Sequence, residues 1–386
     1  MKKETFIKST IILMIGGFLT KILGMIIKIV MSRLMGSEGI GLYMLVLPTF
    51  SLFIGLGQFG LPIALSKMVA EDKKNNRNLM SSLIATSLII NFFLIIFLII
   101  FAPFLANKLL QEERSYLPVL AIAVVIPLTS TSSIVRSYFF GKQQMFPHVF
   151  SKCLEITVTV VILSNVISEL VSILVLFFFL PKNITYKKED FHIRKSYIKD
   201  ALDISIPTTL SRLIGSIGYF LEPIILTTTL KYSGYTSSFI INQYGILQGY
   251  VMPLVLLPSF FTLAISQALL PVIAKAISDK KLDYTKKKIK QAIFFSLLIG
   301  IPATILFIIM PKFFLGIMYH TNQGSTYLKI LAPICLFQYI QAPLAFSLDA
   351  MGRSKDNLKA TMLGTIIRTT TLFLFSLLRI GLYGYI

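Results

Sequence analysis

Long apolar runs constrain this chain more than any other feature of its sequence. Residues 80–104, for example, contain no charged side chain, and about 20 mostly apolar residues are enough for a helix to cross a bilayer. Runs of this kind lie near 9–33, 39–66, 80–104, 116–140, 148–164, 166–181, 200–229, 242–273, 292–314, 325–350 and 358–386. The sequence therefore predicts an all-α polytopic membrane protein with about 11 transmembrane helices.

The composition supports a membrane protein and excludes several soluble classes. Charged residues make up 14 % of the chain and hydrophobic residues 55 %, whereas soluble domains contain about 25 % charged residues. A net charge of +20 would suggest nucleic acid as the partner of a soluble protein, but here the charges lie between apolar runs. We therefore expect no nucleic-acid partner, and we expect the basic loops to contact anionic membrane lipids.

The distribution of Lys and Arg predicts the orientation of the chain. The amino terminus and the segments 67–79, 141–147, 182–199, 274–290 and 351–359 hold 23 Lys and Arg, whereas the intervening loops hold five. Loops rich in Lys and Arg face the cytoplasm. The amino terminus is therefore predicted to be cytoplasmic, in a multi-pass protein of the bacterial cell membrane.

One stretch departs from the regular pattern. Residues 148–181 are too many for one ordinary helix and too few for two. The charge alternation favours two shortened spans with a turn near Ser164 and Asn165. The alternative is one long tilted helix, which would invert the orientation of everything that follows.

The two halves of the chain resemble each other. Short matches occur in the same order, at an offset that grows from 191 to about 210 residues. They pair Leu19–Gly24 with Leu210–Gly215, Leu47–Phe50 with Leu257–Phe260, Leu61-Pro62 with Leu270-Pro271, Ser115–Leu117 with Thr326–Leu328, and Gly141-Lys142 with Gly352-Arg353. Such parallel repeats predict two helical bundles around a central cavity, as in transporters. A duplicated scaffold without a transport path is the alternative.

Several motifs resemble a known family. They are Lys21-Ile22-Leu23-Gly24, Ser32-Arg33-Leu34-Met35-Gly36, Gly60-Leu61-Pro62-Ile63-Ala64-Leu65-Ser66-Lys67, Arg136-Ser137-Tyr138-Phe139-Phe140-Gly141 and Leu270-Pro271. Together they resemble the stage V sporulation protein B group, in the polysaccharide-exporter part of the multidrug/oligosaccharidyl-lipid/polysaccharide flippase superfamily. The resemblance implies alternating-access movement of an undecaprenyl-pyrophosphate-linked saccharide, a precursor of peptidoglycan or polysaccharide, across the cytoplasmic membrane. For sporulation members, it points to the spore cortex.

The resemblance also frames the domain organisation. Residues 1–181 are expected to form an amino-terminal bundle of about six spans, of which the fifth and sixth are shortened. Residues 182–199 would form a cytoplasmic linker. Residues 200–386 would form a carboxyl-terminal bundle of about five spans, fewer than the family is expected to have, so this bundle is expected to be incomplete.

Cationic residues within the spans are the candidate substrate-binding groups. An ionisable group at the centre of a bilayer costs about 2.5–3.5 kcal/mol, so its presence indicates a function or an internal ion pair. Lys21 and Arg212 occupy matching positions in the two halves and would face each other across the cavity, where they could bind a pyrophosphate. Lys28, Arg136 and Arg368 are further candidates, although Lys28 could instead extend to the membrane surface and Arg136 could anchor its helix.

Four acidic residues also fall within spans: Glu155, Glu169, Glu222 and Asp349. They are candidates for ion pairs with the cationic residues, or for binding the H⁺ or Na⁺ that drives transport. The sequence shows no catalytic or metal-binding motif, so neither an enzyme nor a cofactor is expected. Two alternative functions are a cation-coupled multidrug exporter and a non-transporting scaffold that recruits cell-envelope or sporulation enzymes.

Overall fold

The computed structural model describes residues 3–71, 76–142, 164–179, 195–378 and 381–384, and every regular element within these ranges is helical. The helices are α1 (Lys3–Gln58), α2 (Leu61–Glu71), α3 (Asn76–Phe104), α4 (Tyr116–Gly141), α5 (Ser164–Phe179), α6 (Lys195–Tyr232), α7 (Ser237–Gly245), α8 (Met252–Val255), α9 (Ser259–Ser278), α10 (Leu282–Ile309), α11 (Pro311–Tyr319), α12 (Ser325–Ala350) and α13 (Ser354–Ser376). π-Helices cover Leu105–Leu109 and Ile246–Val251, and 3₁₀-helices cover Glu113–Ser115 and Gly381–Gly384. The predicted all-α class is confirmed.

The chain divides into two compact units. Unit 1 comprises Met1–Ile27 and Leu45–Ile224, and unit 2 comprises Lys28–Met44 and Ile225–Ile386. Both α1 and α6 therefore contribute to both units. The bundle boundaries expected from the sequence, at the linker 182–199, stay a prediction.

In unit 1, α4 is the central helix. It packs against α2, α3 and α5. The core between these helices is apolar and includes Leu61, Leu65, Leu83, Val135 and Phe139, each with no exposed surface. Leu61 and Leu65 on α2, and Val135 and Phe139 on α4, are each four residues apart, so each pair lies on one buried face of its helix.

Unit 2 repeats this arrangement with the matching helices. There α12 packs against α9 and α10, and α9 packs against α10. α4 and α12 each contain 26 residues. Gln111 and His320, which lie shortly before these two helices, both have a left-handed backbone, with φ of 53° and 54°. The sequence repeat is therefore also a repeat of helix order and packing.

Six helical segments among the described residues are long and apolar enough to cross a membrane. They are Ile22–Gln58, Asn78–Leu109, Glu113–Gly141, Leu213–Tyr232, Leu282–Ile309 and Ser325–Ala350. The shortened sixth span corresponds to α5, which begins at Ser164 and has 16 residues; the predicted fifth span, 148–164, lies almost wholly outside the described residues. The total of about 11 spans and the cytoplasmic amino terminus stay predictions.

Several predicted spans are interrupted, and for these the expectation of a continuous helix was wrong. The span predicted at 292–314 is divided between α10 and α11 at Met310, and the one predicted at 358–386 extends beyond the end of α13 at Ser376. The span predicted at 39–66 breaks at Phe59 and Gly60, which have φ of 45° and 62° and therefore end α1 before α2 begins. The span predicted at 242–273 is divided into α7, a π-helix, α8 and α9, with a turn over 256–258. At that turn Ser259 N donates to Leu256 O, and Tyr339 Oη donates to Val255 O at 2.5 Å. The tyrosine hydroxyl thus satisfies a carbonyl at the break, as an apolar surrounding requires.

Candidate functional site

Unit 1 contains a buried ion pair between two predicted site residues. Arg136 Nη2 on α4 lies 3.6 Å from Glu169 Oε1 on α5, and the two side chains are only 11 % and 3 % exposed. Arg136 Nη1 donates to Ser172 Oγ at 3.5 Å, and Ser172 Oγ lies 3.3 Å from Ser132 Oγ. Four polar side chains therefore form one buried cluster between the two helices.

Helical spacing explains why these four residues meet. Ser132 lies four residues before Arg136 on α4, and Glu169 lies three residues before Ser172 on α5, so each pair shares a helix face. Removing two charges from water costs more than their attraction returns unless hydrogen bonds also satisfy them. The Ser172 hydroxyl meets part of that requirement by accepting from Arg136. Arg136, which was proposed from the sequence as a substrate ligand, is neutralised here by Glu169.

In unit 2, glycines bring the second part of α1 very close to α7. Gly36, with φ of 68°, breaks α1. Beyond this break, a Cβ on Gly245 would meet Ser37 O and would lie 2.8 Å from Gly41 N. A Cβ on Gly41 would in turn meet Ile241 O. Neither position has room for a larger residue, because the obstructing atoms are backbone.

Polar contacts fix the same region of unit 2. Asn242 Nδ2 donates to Ser37 Oγ at 3.0 Å. Arg33 donates through Nε to Met318 O at 2.7 Å and through Nη2 to Ile317 O at 2.6 Å. These carbonyls lie at the carboxyl end of α11, where a cation is favourable because the helix dipole is negative there. Arg33 therefore attaches α1 to α11.

The other predicted cations lie on three helices. Lys21 is on α1 and Arg212 is on α6, but their side chains lie outside the part of the chain that the structure describes. Lys28 is half-buried on α1, and Arg368 is exposed on α13. The facing geometry proposed for Lys21 and Arg212 thus stays a prediction.

The predicted acids occupy different environments. Glu169 is paired with Arg136, and Glu222 on α6 is also buried. Asp349 is exposed at the end of α12 and accepts from Asn357 Nδ2 with both carboxylate oxygens, at 3.2 Å each. Glu155 lies outside the described residues. Within the described ranges, no three His, Cys, Asp or Glu side chains come close enough to hold a metal ion.

Comparison with known proteins identifies the family. The family model described as polysaccharide biosynthesis protein matches residues 6–164 and 152–277. A second model, MatE, matches residues 223–374. Stage V sporulation protein B of Bacillus subtilis (strain 168) is 34 % identical over 97 % of this chain and 79 % of its own length. The chain belongs to the polysaccharide biosynthesis protein family.

More distant relatives and solved structures agree with this assignment. The lipid II flippase MurJ of Bacillus subtilis (strain 168) is 21 % identical over 94 % of this chain and 76 % of its own length. An inward-facing multidrug resistance MATE family transporter of the MOP superfamily aligns with a TM-score of 0.72 and 15 % identity, over 95 % of this chain and 89 % of that one. The lipid II flippase MurJ in an inward closed conformation aligns with a TM-score of 0.70 and 17 % identity, over 96 % and 82 %. The protein is therefore a multi-pass membrane transporter of the flippase type and not an enzyme.

Several structurally important residues were missed by the sequence reasoning. The close approach of α1 and α7 has a sequence signal, since Gly245 and Gly249 form a small-xxx-small pattern, as do Ser37 and Gly41. The serines beside Arg136 have a weaker signal, namely their helical spacing from a charged residue. The two hydrogen bonds of Arg33 have none, because their acceptors are backbone atoms far along the chain.

Proposed function

We propose that this protein translocates an undecaprenyl-pyrophosphate-linked saccharide across the cytoplasmic membrane by alternating access. The observation that carries the proposal is the 34 % identity to stage V sporulation protein B over 97 % of the chain, together with the match to a lipid II flippase. The name of the sporulation relative favours a precursor used in sporulation, and the family resemblance points to spore cortex peptidoglycan. The moving parts would be the bundles 1–181 and 200–386, joined by the linker 182–199.

The anionic pyrophosphate would bind to the cations on α1 and α6. Arg212 can bind two phosphate oxygens with its planar guanidinium, whereas Lys21 supplies a point charge. Lys28 and Arg368 would support these two residues. A net positive set of side chains raises the local concentration of an anionic ligand, and the lipid tail would stay in the bilayer.

The buried pair of Arg136 and Glu169 would couple binding to an ion. A phosphate that approaches Arg136 competes with Glu169 for the guanidinium, and protonation of Glu169 weakens the same pair. Either H⁺ or Na⁺ at Glu169 would therefore free Arg136 for the substrate. Glu155, Glu222 and Asp349 are the other candidates for such coupling or for internal pairing, and cell-envelope enzymes are candidate partners.

Native mass spectrometry of the purified full chain with an undecaprenyl-pyrophosphate-linked saccharide tests the proposal. Lys21→Ala/Arg212→Ala is compared with Lys287→Ala/Lys290→Ala, which removes the same charge from exposed lysines of α10. Hydrogen bonds to charged groups contribute about 1.5–3 kcal/mol each, so the first double variant should bind at least tenfold more weakly. The control should bind as the wild type does.

Equal binding by all three proteins would refute the roles of Lys21 and Arg212. Absence of binding by a folded, monodisperse wild-type protein would refute the proposed substrate. In that case the scaffold function would be favoured, and the cytoplasmic segments 182–199 and 276–290 would be the regions to test.

A further inference from the structure

Unit 2 contains a polar cavity that the proposed pyrophosphate site does not use. Its volume is about 260 Å³. The cavity lies between α7, the π-helix that follows it, the loop before α12 and the 3₁₀-helix Gly381–Gly384. It is lined by Asn242, Gln243, Ile246, Gln323, Gly324, Ser325, Thr326, Tyr327 and Tyr383.

The loop before α12 is held in place by its backbone. Gly324 has φ of 84°, and a Cβ there would lie 2.7 Å from Ile246 Cγ2 and 2.8 Å from Val251 Cγ2. Only glycine therefore allows this conformation and this close approach to the π-helix. The neighbouring Gln323 is exposed and lines the cavity, where its amide can both donate to and accept from a ligand.

Two amides on α7 are oriented by hydrogen bonds. Tyr327 Oη donates to Gln243 Oε1 at 2.7 Å, which leaves the Nε2 end of that amide to donate to a ligand. Asn242 Nδ2 donates to Ser37 Oγ, which leaves Oδ1 to accept. Oriented donors and acceptors of this kind give a polar site its specificity.

The chemistry of the lining defines the ligand class. None of the nine lining residues carries a carboxylate, an ammonium or a guanidinium, so the cavity is suited neither to a pyrophosphate nor to an inorganic cation. The rings of Tyr327 and Tyr383 lie edge to face, with centroids 5.2 Å apart; Tyr327 is buried, whereas the exposed ring of Tyr383 provides an apolar surface beside the amides and hydroxyls. A neutral group with many hydroxyls and an apolar face, such as a pyranose ring, matches both features.

We propose that this cavity binds a neutral sugar unit through Gln323, Gln243 and the exposed ring of Tyr383, with Tyr327 orienting Gln243. The inference rests on the proposed function in one respect, since the sugar would be part of the lipid-linked substrate. A free saccharide has the same chemistry, and so in part does the glycerol headgroup of a lipid. The test must therefore distinguish these sources.

Saturation-transfer-difference NMR with the full chain in a detergent without a sugar headgroup provides the test. The probe is the soluble disaccharide of N-acetylglucosamine, which carries neither pyrophosphate nor lipid. Gln323→Ala removes a neutral hydrogen-bonding group, so affinity should fall about three- to tenfold. Asn322→Ala is the matched control, because Asn322 is an adjacent exposed amide that does not line the cavity.

Tyr327→Phe provides a second variant that keeps the ring but releases Gln243. A comparable loss of affinity in this variant would support the proposal. The proposal would be overturned by equal binding of Gln323→Ala and Asn322→Ala, by absence of any disaccharide signal from folded protein, or by displacement of the disaccharide with equimolar glycerol. If the protein binds the lipid-linked pyrophosphate but not the disaccharide, only the sugar site in this cavity is rejected. If it binds the disaccharide but not the lipid-linked pyrophosphate, only the proposed substrate is rejected.

Discussion

The close approach of α1 and α7 makes Gly245→Ala an informative perturbation. The new Cβ would meet Ser37 O and would lie 2.8 Å from Gly41 N and 2.9 Å from Gly41 Cα. Ordinary contact requires about 3.4 Å, so the two helices must separate. Because the obstructing atoms are backbone, rotation of a side chain cannot relieve the clash.

The expected magnitude comes from two opposing effects. Overpacking of a well-packed contact costs about 1–3 kcal/mol, and backbone obstruction places this site in the upper part of that range. Replacement of Gly by Ala in a helix returns up to about 1 kcal/mol. Gly364→Ala on α13 receives only the second effect, since a Cβ there meets no atom within 4 Å. The two variants should therefore differ by about 2–3 kcal/mol in the free energy of unfolding.

The assay is size-exclusion chromatography of detergent-solubilised protein after heating. Gly245→Ala should lose its monodisperse peak about 5 °C or more below Gly364→Ala. Gly41→Ala should behave like Gly245→Ala, because its Cβ would meet Ile241 O. If Gly245→Ala were as heat-resistant as Gly364→Ala, the helices would not be in backbone contact and this part of the reasoning would be refuted.

Three further perturbations test single contacts. Arg136→Ala or Glu169→Ala should each destabilise the protein by about 3–5 kcal/mol, because the remaining charge stays buried. In a double-mutant cycle of thermal stability, the double variant should lose clearly less stability than the sum of the two single variants. Arg33→Lys cannot bind two carbonyls in the same fork, so hydrogen exchange at the end of α11 should accelerate, and unchanged exchange would argue against the attachment. Tyr339→Phe should lower stability by about 1 kcal/mol through loss of the bond to Val255 O, and an unchanged melting temperature would contradict that role.

The sequence predicted the helices where hydrophobicity alone defines them. The span predicted at 325–350 coincides with α12 (Ser325–Ala350), and the one predicted at 80–104 lies within α3 (Asn76–Phe104). α10 instead begins at Leu282, ten residues before the span predicted at 292–314. Hydropathy reports where the bilayer begins, whereas a lysine-rich helix can continue into water because Lys is a good helix former.

The repeat shows why identical local motifs can fold differently. Leu47-Pro48 continues within α1, whereas the matching Leu257-Pro258 lies in the turn between α8 and α9. In unit 2, Tyr339 on α12 donates to Val255 O at this break. The corresponding position on α4 is Leu128, which has no hydroxyl. The carbonyl at the break is therefore satisfied by a side chain on another helix, which the local motif does not contain.

The sequence alone determined that this chain is a helical membrane protein with an internal repeat, because hydrophobicity, charge and repetition are local properties. The sequence identified Arg136 and Glu169 as charged residues within spans, but it did not show that they pair with each other. That pairing, the backbone contact at Gly245 and the cavity beside Gln323 depend on which helix faces meet. Only the tertiary structure decides this, since packing joins residues that are distant in sequence and that no local pattern relates.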